Sequence, residues 1–95
     1  MNSHGGDTAP VLVLLTRPEC GLCETMLQEL QALRKQSALP PIELLDVDSD
    51  PQLQQRYGLK IPVLLLDGSP VCSVRLDPEE LLRALRGLSR QRLRL

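Results

Sequence analysis

Thr16-Arg17-Pro18-Glu19-Cys20-Gly21-Leu22-Cys23 marks the point where an apolar run ends, two cysteines stand three apart and a helical pattern begins. Upstream, Val11-Leu12-Val13-Leu14-Leu15 is short, continuous and partly β-branched, the pattern of a strand buried on both faces. Downstream, Cys23, Met26, Leu27, Leu30 and Leu33 recur at spacings of three and four, which predicts a helix running to about Lys35 or Gln36 with these residues on one face.

A cysteine pair at a strand-to-helix junction has a specific chemical logic. Residues i and i+3 share one side of the first helical turn, so a disulfide can close with little backbone movement. Cys20 falls where the first-turn N–H groups lack intrahelical acceptors and the helix dipole is positive, which favours thiolate and makes Cys20 the expected attacking thiol. Cys23, one turn inside on the apolar face, is placed to resolve a mixed disulfide. Arg17 is expected to support the thiolate and Glu19 to oppose it. Two other readings share the spacing: half of a zinc site, or two small buried residues. Zinc would need further ligands, and only His4 and Cys72 are available.

Ninety-five residues give one domain, read as a disordered tail over 1–10, a folded body over 11–90 and a basic tail over 91–95. Apolar residues make up 42% and charged residues 24%, which sets aside disordered and membrane classes. Tyr57 is the single aromatic residue, so there is no stacking platform for single-stranded nucleic acid. Glu43, Asp46, Asp48 and Asp50 read as a solvated strand end and helix start, and no metal is expected there. Arg83, Arg86, Arg90, Arg92 and Arg94 read as a solvated helix face rather than a surface for nucleic acid or membrane. No secretory signal is visible, and three cysteines are an odd number, so a reducing cytoplasm is expected.

In chain order, Pro40-Pro41 breaks the first helix, and Ile42 to Asp48 reads as an edge strand interrupted by acids. Asp48-Ser49-Asp50-Pro51 starts a short helix that ends at Tyr57, with Leu53 and Tyr57 facing the core and Gly58 as a left-handed stop. Leu59 to Leu66 reads as a third strand with Pro62 near its start. A turn over Asp67-Gly68-Ser69-Pro70 returns a fourth strand, Val71 to Leu76, with Cys72, Val74 and Leu76 facing the core. Asp77-Pro78-Glu79-Glu80 caps a last helix with Leu81, Leu82, Leu85 and Leu88 inward. The order β-α-β-α-β-β-α is an α/β fold with a four-stranded mixed sheet and three helices; its two β-α-β units predict parallel first, second and third strands.

On Cys20-Gly21-Leu22-Cys23, Tyr57-Gly58-Leu59-Lys60-Ile61-Pro62 and the element order, the chain resembles the thioredoxin superfamily, nearest the small glutaredoxin-like proteins of bacteria. The resemblance implies a cis Ile61–Pro62 peptide, with the Ile61 backbone pairing with a bound thiol substrate. It also implies a nucleophilic role for Cys20 and a resolving role for Cys23, with Gly21 and Leu22 against the substrate. Arg17 matches a glutaredoxin lysine that contacts a glutathione carboxylate. Gly21-Leu22 replaces the usual Pro-Tyr, and the Gly-Gly that holds the γ-glutamyl end of glutathione is not found after the third strand.

The expectation is a monomeric thiol-disulfide oxidoreductase of the cytoplasm, acting on protein or glutathione disulfides with no resident cofactor and glutathione as a possible co-substrate. The alternatives are a non-catalytic interaction module on the same fold, and an iron-sulfur or zinc carrier using Cys20 across a dimer.

Overall fold

The structure, a computed structural model, describes residues 9–93, and side chains as far as Leu88. His4 and the tail expected over the first residues therefore lie outside it, as do the side chains of Arg90, Arg92 and Arg94. The elements are β1 (Leu12–Thr16), α1 (Gly21–Arg34), β2 (Ile42–Asp46), α2 (Pro51–Tyr57), β3 (Val63–Leu66), β4 (Ser69–Ser73) and α3 (Pro78–Leu93), with a 3₁₀ turn over Val47–Ser49.

One sheet of order β2-β1-β3-β4 forms the centre. The two inner strands are the two apolar runs, and alternation along them divides the core in two. Leu12 and Leu14 face Met26 and Leu30 of α1 and Leu81 of α3, joined by Leu64 and Leu66 of β3. Leu15, Val63 and Leu65 face the other way, onto Val47 and Tyr57, with Leu53 packed alongside. Thus α1 and α3 cover one face and α2 the other. Every residue of β3 is buried, whereas β2, at the edge, is mostly exposed.

The expected direction of the third strand is overturned. Only β1 and β2 are parallel; β3 runs antiparallel to β1, and β4 antiparallel to β3. The register explains the reversal. Asp46, the last residue of β2, pairs with Thr16, and Val63, the first of β3, pairs with Leu15, so the chain leaves and re-enters the sheet at the same end. A seven-residue α2 spans only about 10 Å. It does not return the chain to the opposite end, as a parallel crossover would require.

Other boundaries shift for local reasons. β2 stops at Asp46 because its carboxylate accepts from the Asp48 N–H and starts the 3₁₀ turn. Residues 58–60 form a turn, so β3 begins only at Val63. Gly58 is right-handed, with φ −56°, not left-handed. The hairpin turn is the two residues Asp67 and Gly68, at φ 50° and 85°, the two positive values a type I′ turn needs. Strand β4 therefore starts earlier than expected, with Pro70 on the sheet edge and a bulge opposite Leu64 and Leu65. It also ends earlier, at Ser73, because Val74 has φ 70°. The expected alternation through Val74 is broken there: Cys72 and Leu76 pack partly buried against the core while Val74 is exposed. α3 begins after Asp77, whose carboxylate caps Glu80, and runs to Leu93, beyond the boundary read at 90.

Candidate active site

The dithiol sits where β1 hands over to α1. Arg17 leaves the strand, Pro18 and Glu19 form a turn, and Glu19 has φ 61°, a left-handed conformation unusual for a residue with a side chain. That turn delivers Cys20 to the N-cap of α1 with extended backbone, φ −105° and ψ 104°. Cys20 and Cys23 form a disulfide, with Cα atoms 5.2 Å apart, well inside the range a disulfide spans.

The two sulfurs are not equivalent. Cys23 is buried, on the helix face it shares with Met26 and Leu30, whereas Cys20 is partly exposed. The Cys23 N–H also donates to the Cys20 Sγ at 3.1 Å, so the cap hydrogen bond of the helix falls on the outer sulfur. A donor of this kind favours negative charge on that sulfur once the disulfide is reduced. Gly21, with open space where a Cβ would stand, and Leu22, about half exposed, present the span between the cysteines to solvent.

The Ile61–Pro62 peptide is cis. Strand register sets Pro62 beside the end of β1 from which the dithiol loop departs, since the next residue, Val63, pairs with Leu15. Ile61 is half-buried and Pro62 fully buried, and the Pro62 carbonyl accepts from the Val74 N–H at 2.8 Å. Val74 lies in a tight turn closed by the Arg75 N–H donating to the Ser73 carbonyl at 2.7 Å. A β-branched residue at φ 70° costs about 1–3 kcal/mol, and such strain collects at functional sites. From Leu22 a groove of about 290 Å³ continues between α1 and this turn, lined by Met26, Glu29, Val74 and Arg75 among others.

Arg17 makes its contacts away from the cysteines. Its Nε donates to Asp48 Oδ2 at 2.8 Å, its Nη2 to Asp48 Oδ1 at 3.0 Å and its Nη1 to the Gly58 carbonyl at 3.3 Å. The guanidinium is thus engaged within the protein by a two-pronged carboxylate contact. The hydrogen bond from Arg17 holds the Asp48 carboxyl below its ordinary value, and the same bond raises the already high Arg17 value. Sequence reasoning missed Asp48, Gly58 and Val74 as neighbours of the site. Asp48 read as one of several solvated acids, and nothing local distinguishes it from Asp46 or Asp50.

Cys72 is half-buried on β4 rather than fully enclosed, and burial raises its thiol above the usual value. Among the described residues, no group of three or more His, Cys, Asp or Glu side chains is gathered to hold a metal, and no helix is long and apolar enough to cross a membrane.

Comparison with known proteins converges on the same architecture. The family model described as Glutaredoxin-like domain (DUF836) matches residues 11–86. Among solved structures, protein Ne2328 from Nitrosomonas europaea, determined by NMR, is 28% identical with a TM-score of 0.73, over 88% of this chain and 98% of that one. A mutant thioredoxin from Halobacterium salinarum NRC-1 is 29% identical with a TM-score of 0.53, over 85% of this chain and 74% of that one. No curated protein matches the chain.

Proposed function

The chain belongs to the glutaredoxin-like domain (DUF836) family, and from that premise we propose that it is a thiol-disulfide oxidoreductase in which Cys20 attacks and Cys23 resolves. The observation that carries this reading is the asymmetry of the pair: a partly exposed sulfur at a helix N-cap, bonded to a buried one a single turn inside.

In the reduced protein, the Cys20 thiolate attacks one sulfur of a substrate disulfide. A Cys20–substrate disulfide forms and the other substrate sulfur leaves as thiolate, taking a proton from solvent. Cys23 then gives its proton to solvent and attacks the Cys20 sulfur, which releases the second substrate thiol and leaves the Cys20–Cys23 disulfide. Two electrons pass from the dithiol to the substrate, and an external thiol reductant restores the starting state. The exposed Gly21-Leu22 span and the half-buried Ile61 are the surface on which a substrate chain would rest.

Substrates are protein disulfides or glutathione mixed disulfides, and no resident cofactor enters the cycle. A reducing cytoplasm suits a chain whose third cysteine, Cys72, is a free thiol. Reduction of a model disulfide by wild-type protein and by Cys20→Ser tests the reading. The variant is expected to lose all turnover; turnover equal to wild type would exclude Cys20 as the nucleophile.

A further inference from the structure

Three segments distant in sequence meet at the Arg17 guanidinium: the loop that carries the dithiol, the 3₁₀ turn after β2, and the end of α2. The acceptor carboxylate is itself fixed, because Asp48 Oδ1 also receives the Gln54 Nε2 of α2 at 3.1 Å and its backbone N–H is held by Asp46. Gly58 closes the end of α2 beside the guanidinium. Its φ of −56° suits any residue, so its lack of a side chain serves another purpose. A Cβ there would stand 2.5 Å from the Gln54 carbonyl oxygen and 3.4 Å from the Arg17 Nη2. The missing side chain thus makes room for the carbonyl of the preceding helical turn, and the guanidinium lies beyond it at ordinary contact distance.

The stretch after Gly58 leads back to the dithiol end of the sheet. Leu59 is fully exposed, the Lys60 N–H returns to the Tyr57 carbonyl at 2.8 Å, and Ile61–Pro62 runs into β3. The segment is tied at one end by Arg17 through the Gly58 carbonyl and at the other by the Val74 N–H on the Pro62 carbonyl. Between these ties the side chain that anchors it is Ile61, packed against the cluster of Leu15, Val47, Tyr57, Val63 and Leu65.

We propose that Arg17, acting with Asp48, is a positioning residue that holds the Gly58–Pro62 segment in register with the Cys20–Cys23 pair, and is not the cation that receives a substrate carboxylate. This rests on the redox reading above. The fork formed by Nε and Nη2 is filled by Asp48, and that two-pronged face is the one a carboxylate would seek. A segment released by even a small distance would misplace the substrate sulfur relative to Cys20, which is costly because exchange demands close approach of three sulfurs.

The two roles separate cleanly. Rates of reduction of oxidised glutathione, which is anionic, and of hydroxyethyl disulfide, which is neutral, are to be measured with reduced wild-type protein, Arg17→Lys and Asp48→Asn. Positioning predicts that both variants slow both substrates by the same factor, about ten-fold or more, and that the double variant is no worse than either single one. Amide exchange at Lys60 should quicken in both variants while Leu14 in β1 stays protected. A substrate-binding Arg17 predicts the opposite: Arg17→Lys keeps glutathione reduction, and Asp48→Asn, which frees the guanidinium, improves it while leaving hydroxyethyl disulfide unchanged. That pattern, or unaltered exchange at Lys60, overturns the proposal. If wild-type protein reduces neither disulfide, the redox reading falls, and exchange at Lys60 still decides whether Arg17 holds the segment.

Discussion

Arg17 illustrates how a residue's neighbours in space replace its neighbours in sequence. Three positions before Cys20 it resembles a substrate cation, yet its charge is matched by Asp48, thirty-one residues away. The pairing has a pH signature. Because the hydrogen bond from Arg17 lowers the folded-state value of Asp48 below its unfolded one, the stability it adds is fully present above the unfolded value, near pH 4, and is lost as pH falls through the lowered value. Urea midpoints of wild-type protein and Asp48→Asn, followed from about pH 6 to about pH 2, should therefore differ by a constant amount in the upper range and converge at the acid end. A difference that persists unchanged to the lowest pH would show that the carboxylate is not the paired group. Both side chains are more than one-third accessible, so the pair serves geometry more than stability.

At the scale of elements, backbone conformation makes opposite demands on two glycines. Gly87 lies inside α3 with open space where a Cβ would be, so it contributes only flexibility to the unfolded chain and weak propensity to the helix. Gly87→Ala is expected to raise stability by about 0.8–1 kcal/mol. Gly68 has equal room but φ 85°, and Gly68→Ala should cost about 1–2 kcal/mol by forcing a side chain into the left-handed region. Denaturant midpoints of the two variants check the pair; a shift of the same sign in both would contradict the conformational argument. Glu19 and Val74 occupy the same region of backbone space without being glycine; Glu19 precedes Cys20, and Val74 lines the groove that starts at Leu22. The hairpin turn remote from the site also places a non-glycine residue in that region, Asp67 at φ 50°, a residue type that tolerates it better than the β-branched Val74.

Across the whole molecule, what could be read from sequence and what could not divide along a physical line. The inner strands were legible because an apolar run buried on both faces leaves no polar interruption, and α2 because Asp50 and Pro51 together mark a helix start. The dithiol was legible because two cysteines one turn apart at a helix head have few other uses. The direction of β3 was not, since alternation carries no arrow and only the shortness of α2 hinted at the reversal. Nor were the partners of Arg17 or the strained turn at Val74, because both depend on pairings distant in sequence: Asp48 and Gly58 with Arg17, Pro62 with Val74. The fold thus brings a dithiol loop, a cis-proline segment and a tight turn from three parts of the chain to one end of the sheet. In the cycle proposed above, this assembly makes Cys20 the attacking sulfur. The most direct test is to mix reduced Cys23→Ser protein with a small disulfide and locate the covalent adduct by peptide mass. One stable mixed disulfide on Cys20 with Cys72 unmodified is expected; an adduct on Cys72 alone, or none, would exclude Cys20 as the attacking sulfur.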